Sequence, residues 1–485
     1  MAHVLGVDSS TQSTKVEVRD LDSGRLVAAG ASPHPPTSPP CSEQHPASWW
    51  DALTNAVAQA GRPDVVALSI AGQQHGMVVL DDAGEVLRPA KLWNDTESAP
   101  DADDLVARAG SQWWADTVGS VPVASFTITK LAWLRRTQPT VFTRVRAVLL
   151  PHDWLTLQLT GRRVTDRGDA SGTGYWSPSD EGWCAEPLRM VDDGVSAEDW
   201  LDRLPEILPP DQALEPDGGR GLEALGLRGR PKVAPGTGDN MAAALGIGLG
   251  PGQVAISIGT SGTVYSVSST SVRDPRGLVA GFADAAGRYL PLACTLNAGK
   301  VIDTVAGLLG VGVAELGEMA LREDALDGPV MVPYFDGERT PNRPGASGVL
   351  AGLRTTSTRG EVAAAAHRGV ICSLLDGLDA LRDSGVDLGD DPIRLVGGGA
   401  RSGAHQQLLA DLSGRPVLVS DGDEHVATGA AVQAAAVATG TSPDDVAAAW
   451  GLGHGLIVEP RACDADAIRE RYDALRRASE ALDRD

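Results

Sequence analysis

Two carboxylates set among small residues, Asp8 and Asp239, are the side chains of this 485-residue chain best placed to do chemistry. Asp8 closes an apolar strand (Val4, Leu5, Val7) and leads into Ser9-Ser10-Thr11-Gln12-Ser13-Thr14-Lys15. A carboxylate at the carboxyl end of a strand faces the crevice where α/β sheets bind ligands. Beside a hydroxyl-rich turn able to hold a phosphate, it is suited to Mg²⁺, directly or through water. The plainer alternative is an Asp that caps the turn. Asp239 lies in Pro235-Gly236-Thr237-Gly238-Asp239-Asn240, between a short strand near Val233 and an Ala-rich helix, Met241 to Leu245. There it suits a general base that orients an alcohol and takes its proton. It equally suits a helix N-cap with no chemistry at all.

A second turn repeats the first some 250 residues on: Ser257-Ile258-Gly259-Thr260-Ser261-Gly262-Thr263, again between strands that alternate apolar and polar residues. Small residues let backbone N–H groups converge on an oxyanion. Two such turns point to two similar halves gripping one polyphosphate, against the alternative of two plain hairpins. Three further segments carry donors or bare backbone. Gly72-Gln73-Gln74-His75-Gly76 follows a strand expected over Val65 to Ile70 and offers directional hydrogen bonds to hydroxyls. Leu92-Trp93-Asn94-Asp95 combines an aromatic face with polar groups, and Gly397-Gly398-Gly399-Ala400-Arg401-Ser402 follows the strand Ile393 to Val396. Three glycines let backbone lie against a flat ring or a phosphate. There is no GxxxxGK(S/T) and no GxGxxG in a dinucleotide context, which excludes a P-loop enzyme.

The elements that position these residues read as α/β, with strands alternating with helical patterns throughout. A Pro-rich loop covers 31–46, an amphipathic helix runs from Ser48 to Ala60, and 178–231 is a Pro-, Gly- and Asp-rich surface stretch with short helices. The glycine-dense run Gly246 to Gly252 is a candidate hinge between the halves. Ten of the eleven tryptophans precede position 201, which makes the first half the better sugar pocket, although core packing accounts for most of them. A formal net charge of −23 argues against nucleic acid as a partner. No apolar run approaches the roughly 20 residues a membrane span needs. Five scattered cysteines without CxxC spacing fit reduced thiols, and with no leader-like N-terminus a cytoplasmic protein is expected.

In their order along the chain, these segments resemble the FGGY carbohydrate kinases of the actin-like ATPase superfold, most closely the xylulokinase branch. The likeness covers about residues 3–440. It is carried by Gly6-Val7-Asp8, Ser42-Glu43-Gln44-His45-Pro46 with Trp49-Trp50, Gly72 to Gly76, Leu92 to Asp95, and Lys130-Leu131-Ala132-Trp133. Gly238-Asp239-Asn240, Gly259 to Gly262, Gly337-Glu338-Arg339-Thr340-Pro341 and Gly397 to Ser402 complete it. The resemblance implies two ribonuclease-H-like domains flanking a catalytic cleft: 1–246 for sugar and 253–440 for ATP, with 247–252 as hinge and 441–485 as a C-terminal helical extension.

It further implies ATP- and Mg²⁺-dependent conversion of D-xylulose to D-xylulose 5-phosphate, feeding the pentose phosphate pathway. Asp239 would be the base, and Asp8 the acidic residue at Mg²⁺ and the γ-phosphate. Gln74, His75, Trp93, Asp239 and Asn240 would contact sugar. Ser10, Thr11, Lys15, Gly259, Thr260, Ser261, Gly398, Gly399 and Ala400 would contact ATP. A homodimer is the candidate assembly. Two departures soften the choice of sugar: Gln74 stands where many xylulokinases have Met, and Gly236-Thr237-Gly238 replaces a run of three glycines. Another ketose, a pentitol or glycerol is the near alternative. A nucleotide-switched binding protein of the Hsp70 or actin type is the distant one, and Gln74-His75 with Asp239-Asn240 speak against it.

Overall fold

The doubling expected from the two turns is present in the sheets. In the computed structural model, which describes residues 2–216, 220–323, 326–422 and 424–483, β1 (His3–Ser9), β2 (Ser13–Asp20) and β3 (Leu26–Pro33) form an antiparallel meander. On the other flank of β1 lie β4 (Ala67–Gly72) and β5 (Lys232–Val233), both parallel, and β6 (Thr237–Gly238) continues beside β4. The second sheet follows the same path. The strands β7 (Val254–Ile258), β8 (Gly262–Ser266) and β10 (Tyr289–Thr295) are antiparallel, with β9 (Ala280–Ala283) paired outside β10. On the other side of β7 come β11 (Ile393–Val396) and β12 (Val417–Ser420), both parallel.

Each central strand, β1 or β7, is thus followed by an antiparallel partner on one side and, after a long insertion, by a parallel one on the other. That mixed pattern leaves the carboxyl ends of the parallel strands free to carry loops. The strands form because their residues are apolar and bury on both faces: β4 is buried along its whole length, and Val4, Leu5, Val7, Val254, Ile256 and Ile258 are fully covered. Helix α1 (Pro46–Gln59) closes one face of the first sheet with Trp49, Leu53, Ala56 and Val57.

Two helices start two residues earlier than expected, at Pro46 and Asp239, and one difference matters. The helix α2 (Asp239–Gly246) has Gly238 as its N-cap, so Asp239 is its first helical residue and not its cap. Further along, the triple glycine opens a 3₁₀ turn, Gly398–Arg401, before α3 (Gly403–Ser413).

A late helix, α4 (His425–Thr439), packs not on the second sheet but on the first, where Ala431, Val432 and Ala435 meet Val4 and Ala67. Its backbone runs so close that a Cβ on Gly6 would lie 2.0 Å from the Ala427 carbonyl oxygen, and one on Gly429 would lie 1.8 Å from that of Ala242 in α2. The segment 441–485, expected to be helical, carries α5 (Ala465–Ala478) but also β13 (Gly455–Val458), a seventh strand on the second sheet. Four residues with Leu456 and Ile457 facing solvent are too short and too exposed to register as a buried strand.

Between the halves, Arg394 of β11 donates to the Ile247 carbonyl and to Gln253 Oε1 (2.7 Å), and Gly389 N–H donates to the Gly252 carbonyl (2.9 Å). One core is shared: Phe126, Leu131 and Met241 pack with Tyr265, Phe282 and Leu292. The Pro- and Gly-rich stretch 178–231 holds short helices as expected, its residues 217–219 lying outside the described residues, as do Met1 and 484–485. Among the described residues no single helix is long and apolar enough to cross a membrane.

Candidate active site

Register brings the two carboxylates together. Ser9 pairs with Gly72 across β1 and β4, and Gly72 pairs with Gly238 across β4 and β6. Asp8, Gln73-Gln74 and Asp239 therefore leave three neighbouring strands at one carboxyl edge, where an α/β sheet opens its crevice. Behind this edge His152 is a buried wedge, since a Cβ on Gly236 would lie 2.6 Å from its Nδ1 and one on Gly72 3.0 Å from its own Cβ. Asp166 pins β6 by accepting from Thr237 Oγ1 at 2.7 Å.

Asp8 is 5 % exposed, and its Oδ1 has no hydrogen-bond partner. Burial pushes its carboxyl up to about 8, the negative charge of Asp239 adds to the rise, and Lys15 opposes it. Lys15 faces Asp8 in register, but its ammonium is taken by Glu424, 2.7 Å away at the start of α4. Glu424, the residue that ties this edge to the late helix, carries no sequence signal.

Asp239 is raised to about 6 by burial, against the pull of hydrogen bonds from Asn240. Its Oδ1 accepts from Asn240 N–H (2.8 Å) and Nδ2 (3.1 Å), and the same Nδ2 donates to Gln74 Oε1 (2.8 Å). Gln74 thereby has its acceptor engaged and its Nε2 buried without a partner. A carboxylate whose pKa lies close to neutrality, flanked by a free amide donor, is suited to take a proton from an alcohol while a second oxygen is held.

His75 sits in the left-handed region (φ +65°) with its ring stacked on Phe126 (5.1 Å between centroids) and tilted against Phe282 of β9 (5.5 Å). Burial first, then Lys130 and Arg339, keep the imidazole neutral, and Nδ1 has no partner. Trp93 is brought to the same place, but its Nε1–H donates to Thr11 Oγ1 (2.8 Å), which in turn donates to Gln73 Oε1 (3.1 Å). Its indole N–H thus braces the first turn. Next to it Asn94 Oδ1 is buried and unpartnered.

The loop is anchored by buried Lys91, whose ammonium reaches Glu43 (3.2 Å), Asp95 (2.7 Å) and Glu97 (2.5 Å). With Cys41, these carboxylates have the spacing of a metal site. Lys91 already supplies the cation there.

On the second sheet the turn Gly259 to Ser261 is closed by Gly259 N–H to the Ser261 carbonyl (2.9 Å). The Gly259 and Thr260 carbonyls accept from Gly299, Ala298 and Lys300 at the start of the helix Gly299–Leu309, which leaves Gly259 and Thr260 facing solvent. Because β7 and β11 are parallel neighbours, the triple glycine emerges beside this turn. Gly397 (φ +84°) and Gly399 have no room for a Cβ, which would fall 2.7 Å from the Ile258 carbonyl oxygen and 2.3 Å from its Cγ2. Gly398 is open, while Ala400 is buried beneath it. The result is bare backbone next to an exposed hydroxyl turn, a surface fit for a nucleotide. The Ser10 turn is shaped by its own Oγ and N–H, both donating to the Ser13 carbonyl (3.1 Å each).

This geometry of duplicated sheets, paired carboxylates and nucleotide-type turns coincides with family-level likeness. Residues 3–246 match the N-terminal domain, and residues 254–438 the C-terminal domain, of the FGGY family of carbohydrate kinases. The chain belongs to that family and has its two-domain fold, that of sugar kinases in the actin-like ATPase superfamily. It is accordingly a carbohydrate kinase, with ATP as co-substrate.

Its relatives are more particular. It is 46% identical to a xylulose kinase of Streptomyces rubiginosus over 99% of this chain and 97% of that one. It is 45% identical to a xylulose kinase of Streptomyces coelicolor, over 99% and 98%. The crystal structure of xylulose kinase from Bifidobacterium adolescentis superimposes with a TM-score of 0.86 at 38% identity, over 98% of this chain and 99% of that one.

Proposed function

We propose that this kinase transfers the γ-phosphoryl group of ATP to the terminal hydroxyl of D-xylulose, giving D-xylulose 5-phosphate and ADP. For the chemistry, the carrying observation is the juxtaposition of Asp8 and Asp239 at one strand edge, with Gln74 and Asn240 in line beside the base. For the sugar, support comes from near full-length relatives named xylulose kinase.

In this reading Asp239 accepts the hydroxyl proton as the oxygen attacks phosphorus and the bridging P–O bond to ADP breaks. Gln74 Nε2, Asn240 and the His75 turn hold the remaining sugar oxygens, with the ring of Trp93 as an apolar face beside them. The turns Ser10-Thr11 and Gly259 to Ser261 lie against the phosphates, with hydroxyls offered by Thr260 and Ser261 and Lys15 nearby, and Gly398, Gly399 and Ala400 lie along the adenosine. Asp8 fits a divalent cation, because a buried carboxylate oxygen without a partner is costly unless a cation or proton meets it. Mg²⁺ held there would supply charge neutralisation of the phosphates. Since Asp8 holds its proton up to about pH 8, cation binding would release that proton.

The first half, 1–246, is proposed to bind mainly sugar and the second, 253–440, mainly ATP. The glycine-dense 247–252 would take up the backbone rotation when the two reactants are brought within about 3–3.5 Å. Coupled measurement of ADP release over a panel of ketoses, pentitols and glycerol tests the substrate. D-xylulose should give the highest kcat/KM, and a preference for glycerol or a pentitol would overturn the assignment.

A further inference from the structure

One donor at the reacting edge has no task in the reaction as derived, the side-chain amide of Gln73. The residue is fully buried, and its Nε2 has no hydrogen-bond partner among the described residues. A buried N–H left unpaired is destabilising, so a fold that keeps one at its reacting edge keeps it for a ligand oxygen.

The orientation of that amide is set from behind. The Trp93 indole N–H only donates, and it donates to Thr11 Oγ1 (2.8 Å). The one proton of that hydroxyl goes to Gln73 Oε1 (3.1 Å). The opposite flip of the amide would leave both this proton and Oε1 without a partner, so Nε2 is the end turned away from Thr11. Thr11 is itself held. Its carbonyl accepts from Gln44 Nε2 (2.9 Å), and Gln44 Oε1 accepts from the Trp49 indole (2.7 Å). Gln73 N–H donates to the Ser9 carbonyl (3.0 Å), which fixes the main chain of the same residue. A donor held at both ends with nothing to donate to is preorganised for charge that develops later.

The strand register locates it. The strands β1, β4 and β6 end in one row, at Ser9, Gly72 and Gly238. Ser10, Gln73 and Asp239 are the first residues beyond that row, and Gln73 is the middle one. Neighbouring strands lie about 4.8 Å apart, so Gln73 leaves the sheet one strand from the Ser10 turn and one strand from the base. A phosphoryl group that leaves ADP beside this turn for a hydroxyl at Asp239 passes the middle position. The two adjacent glutamines divide between its two sides. Gln74 is drawn to Asn240 (2.8 Å) on the acceptor side, and Gln73 to Thr11 on the phosphate side. During transfer the charge spreads over three equatorial oxygens, each able to accept from an amide N–H.

We propose that Gln73 is a further catalytic residue, its Nε2 donating to an oxygen of the phosphoryl group in transfer. Thr11 is then a positioning residue that holds the amide. This rests on the reading of Asp239 as base and of the Ser10 turn as the phosphate side, and not on the identity of the sugar. Because the amide lies beneath the surface of the crevice, its hydrogen bond belongs to the transition state and not to the binding of either substrate.

Steady-state kinetics of wild type, Gln73→Met, Gln73→Ala, Thr11→Val and the double variant Gln73→Met with Thr11→Val test it, with sugar and ATP each varied. Loss of one such donor costs about 10²–10³-fold in kcat. Both Gln73 variants should lose that factor in kcat, while the KM for sugar and for ATP each stay within about threefold. Thr11→Val should lower kcat by only about 3- to 10-fold. In the double variant it should add nothing to the loss of Gln73→Met, because the amide it holds is gone. Full turnover in either Gln73 variant would overturn the proposal. So would a loss carried by either KM at unchanged kcat, or a Thr11→Val loss as large as that of Gln73→Met, which would make the amide only a brace for the turn. Variants are read where they melt within a few degrees of wild type. If neither Gln73 variant does, Thr11→Val decides, and an unchanged kcat there overturns the proposal. Near-wild-type turnover in Asp239→Asn would defeat the reading of the base, which these variants leave intact. Should wild type prefer another sugar, the D-xylulose reading fails and not this one, and the same ratios are then read with that sugar.

Discussion

Replacing Asp239 by Asn separates the base from every other role of that side chain. Asn keeps the carbonyl oxygen that accepts from Asn240 N–H at 2.8 Å, and with it the start of α2. It loses only basicity, so turnover should fall by about 10²–10⁴-fold while sugar still binds. The structure adds an opposite consequence for stability. Asp239 titrates at 3.8 when free and at about 6 in the fold. Between those values the folded chain keeps a proton the unfolded chain has released, so stability falls as pH rises through this window and stays lost above it. The displacement corresponds to at most about 3 kcal/mol at pH 8, less because the carboxylate is partly open to the cleft. An uncharged Asn escapes that loss. Thermal melting of the ligand-free enzyme should therefore show the variant more stable than wild type at pH 8, with the gain roughly halved at pH 5. Near-wild-type turnover would refute the base. A variant less stable at both pH values would refute the electrostatic argument.

Four further outcomes follow from the same geometry. Asp8→Ala should depress turnover far more than it weakens sugar binding measured by calorimetry, and equal losses in both would indicate a folding defect instead. The acid limb of log(kcat/KM) should fall with an apparent pKa near the 6 of Asp239, and the apparent affinity for Mg²⁺ should tighten as pH rises toward the 8 of Asp8; a profile flat from pH 5 to 8 would contradict both. Gly6→Ala should lower stability by about 1–3 kcal/mol or more, because its Cβ would sit 2.0 Å from the Ala427 carbonyl oxygen; a melting temperature equal to wild type would show that β1 and α4 can separate freely.

What the residues disclosed in advance, and what they hid, divides along local and non-local lines. Asp8 was legible because strand alternation and a small-residue turn are neighbours in sequence. The paired turns likewise announced the duplicated sheets. For Asp239 the residue type was legible but its position in α2 was not, since Gly238 and Asp239 compete for the cap within one residue. The neighbours of Trp93 in sequence suggest a sugar face, yet its N–H is bonded to Thr11, a partner 82 residues away. Glu424 and the packing of α4 on the first sheet were invisible for the same reason. An Ala-rich helix buried all round shows that it is enclosed, not by which sheet.

The central claim is a sugar-dependent phosphoryl transfer to one particular hydroxyl. Phosphorus NMR of the purified enzyme with ATP, Mg²⁺ and D-xylulose tests it most directly, beside a control without sugar. The account predicts stoichiometric conversion of ATP to ADP and a single phosphomonoester on the terminal carbon of the ketose, with only slow release of inorganic phosphate when sugar is absent. Rapid sugar-independent hydrolysis to inorganic phosphate, or no phosphomonoester from D-xylulose at all, would contradict it.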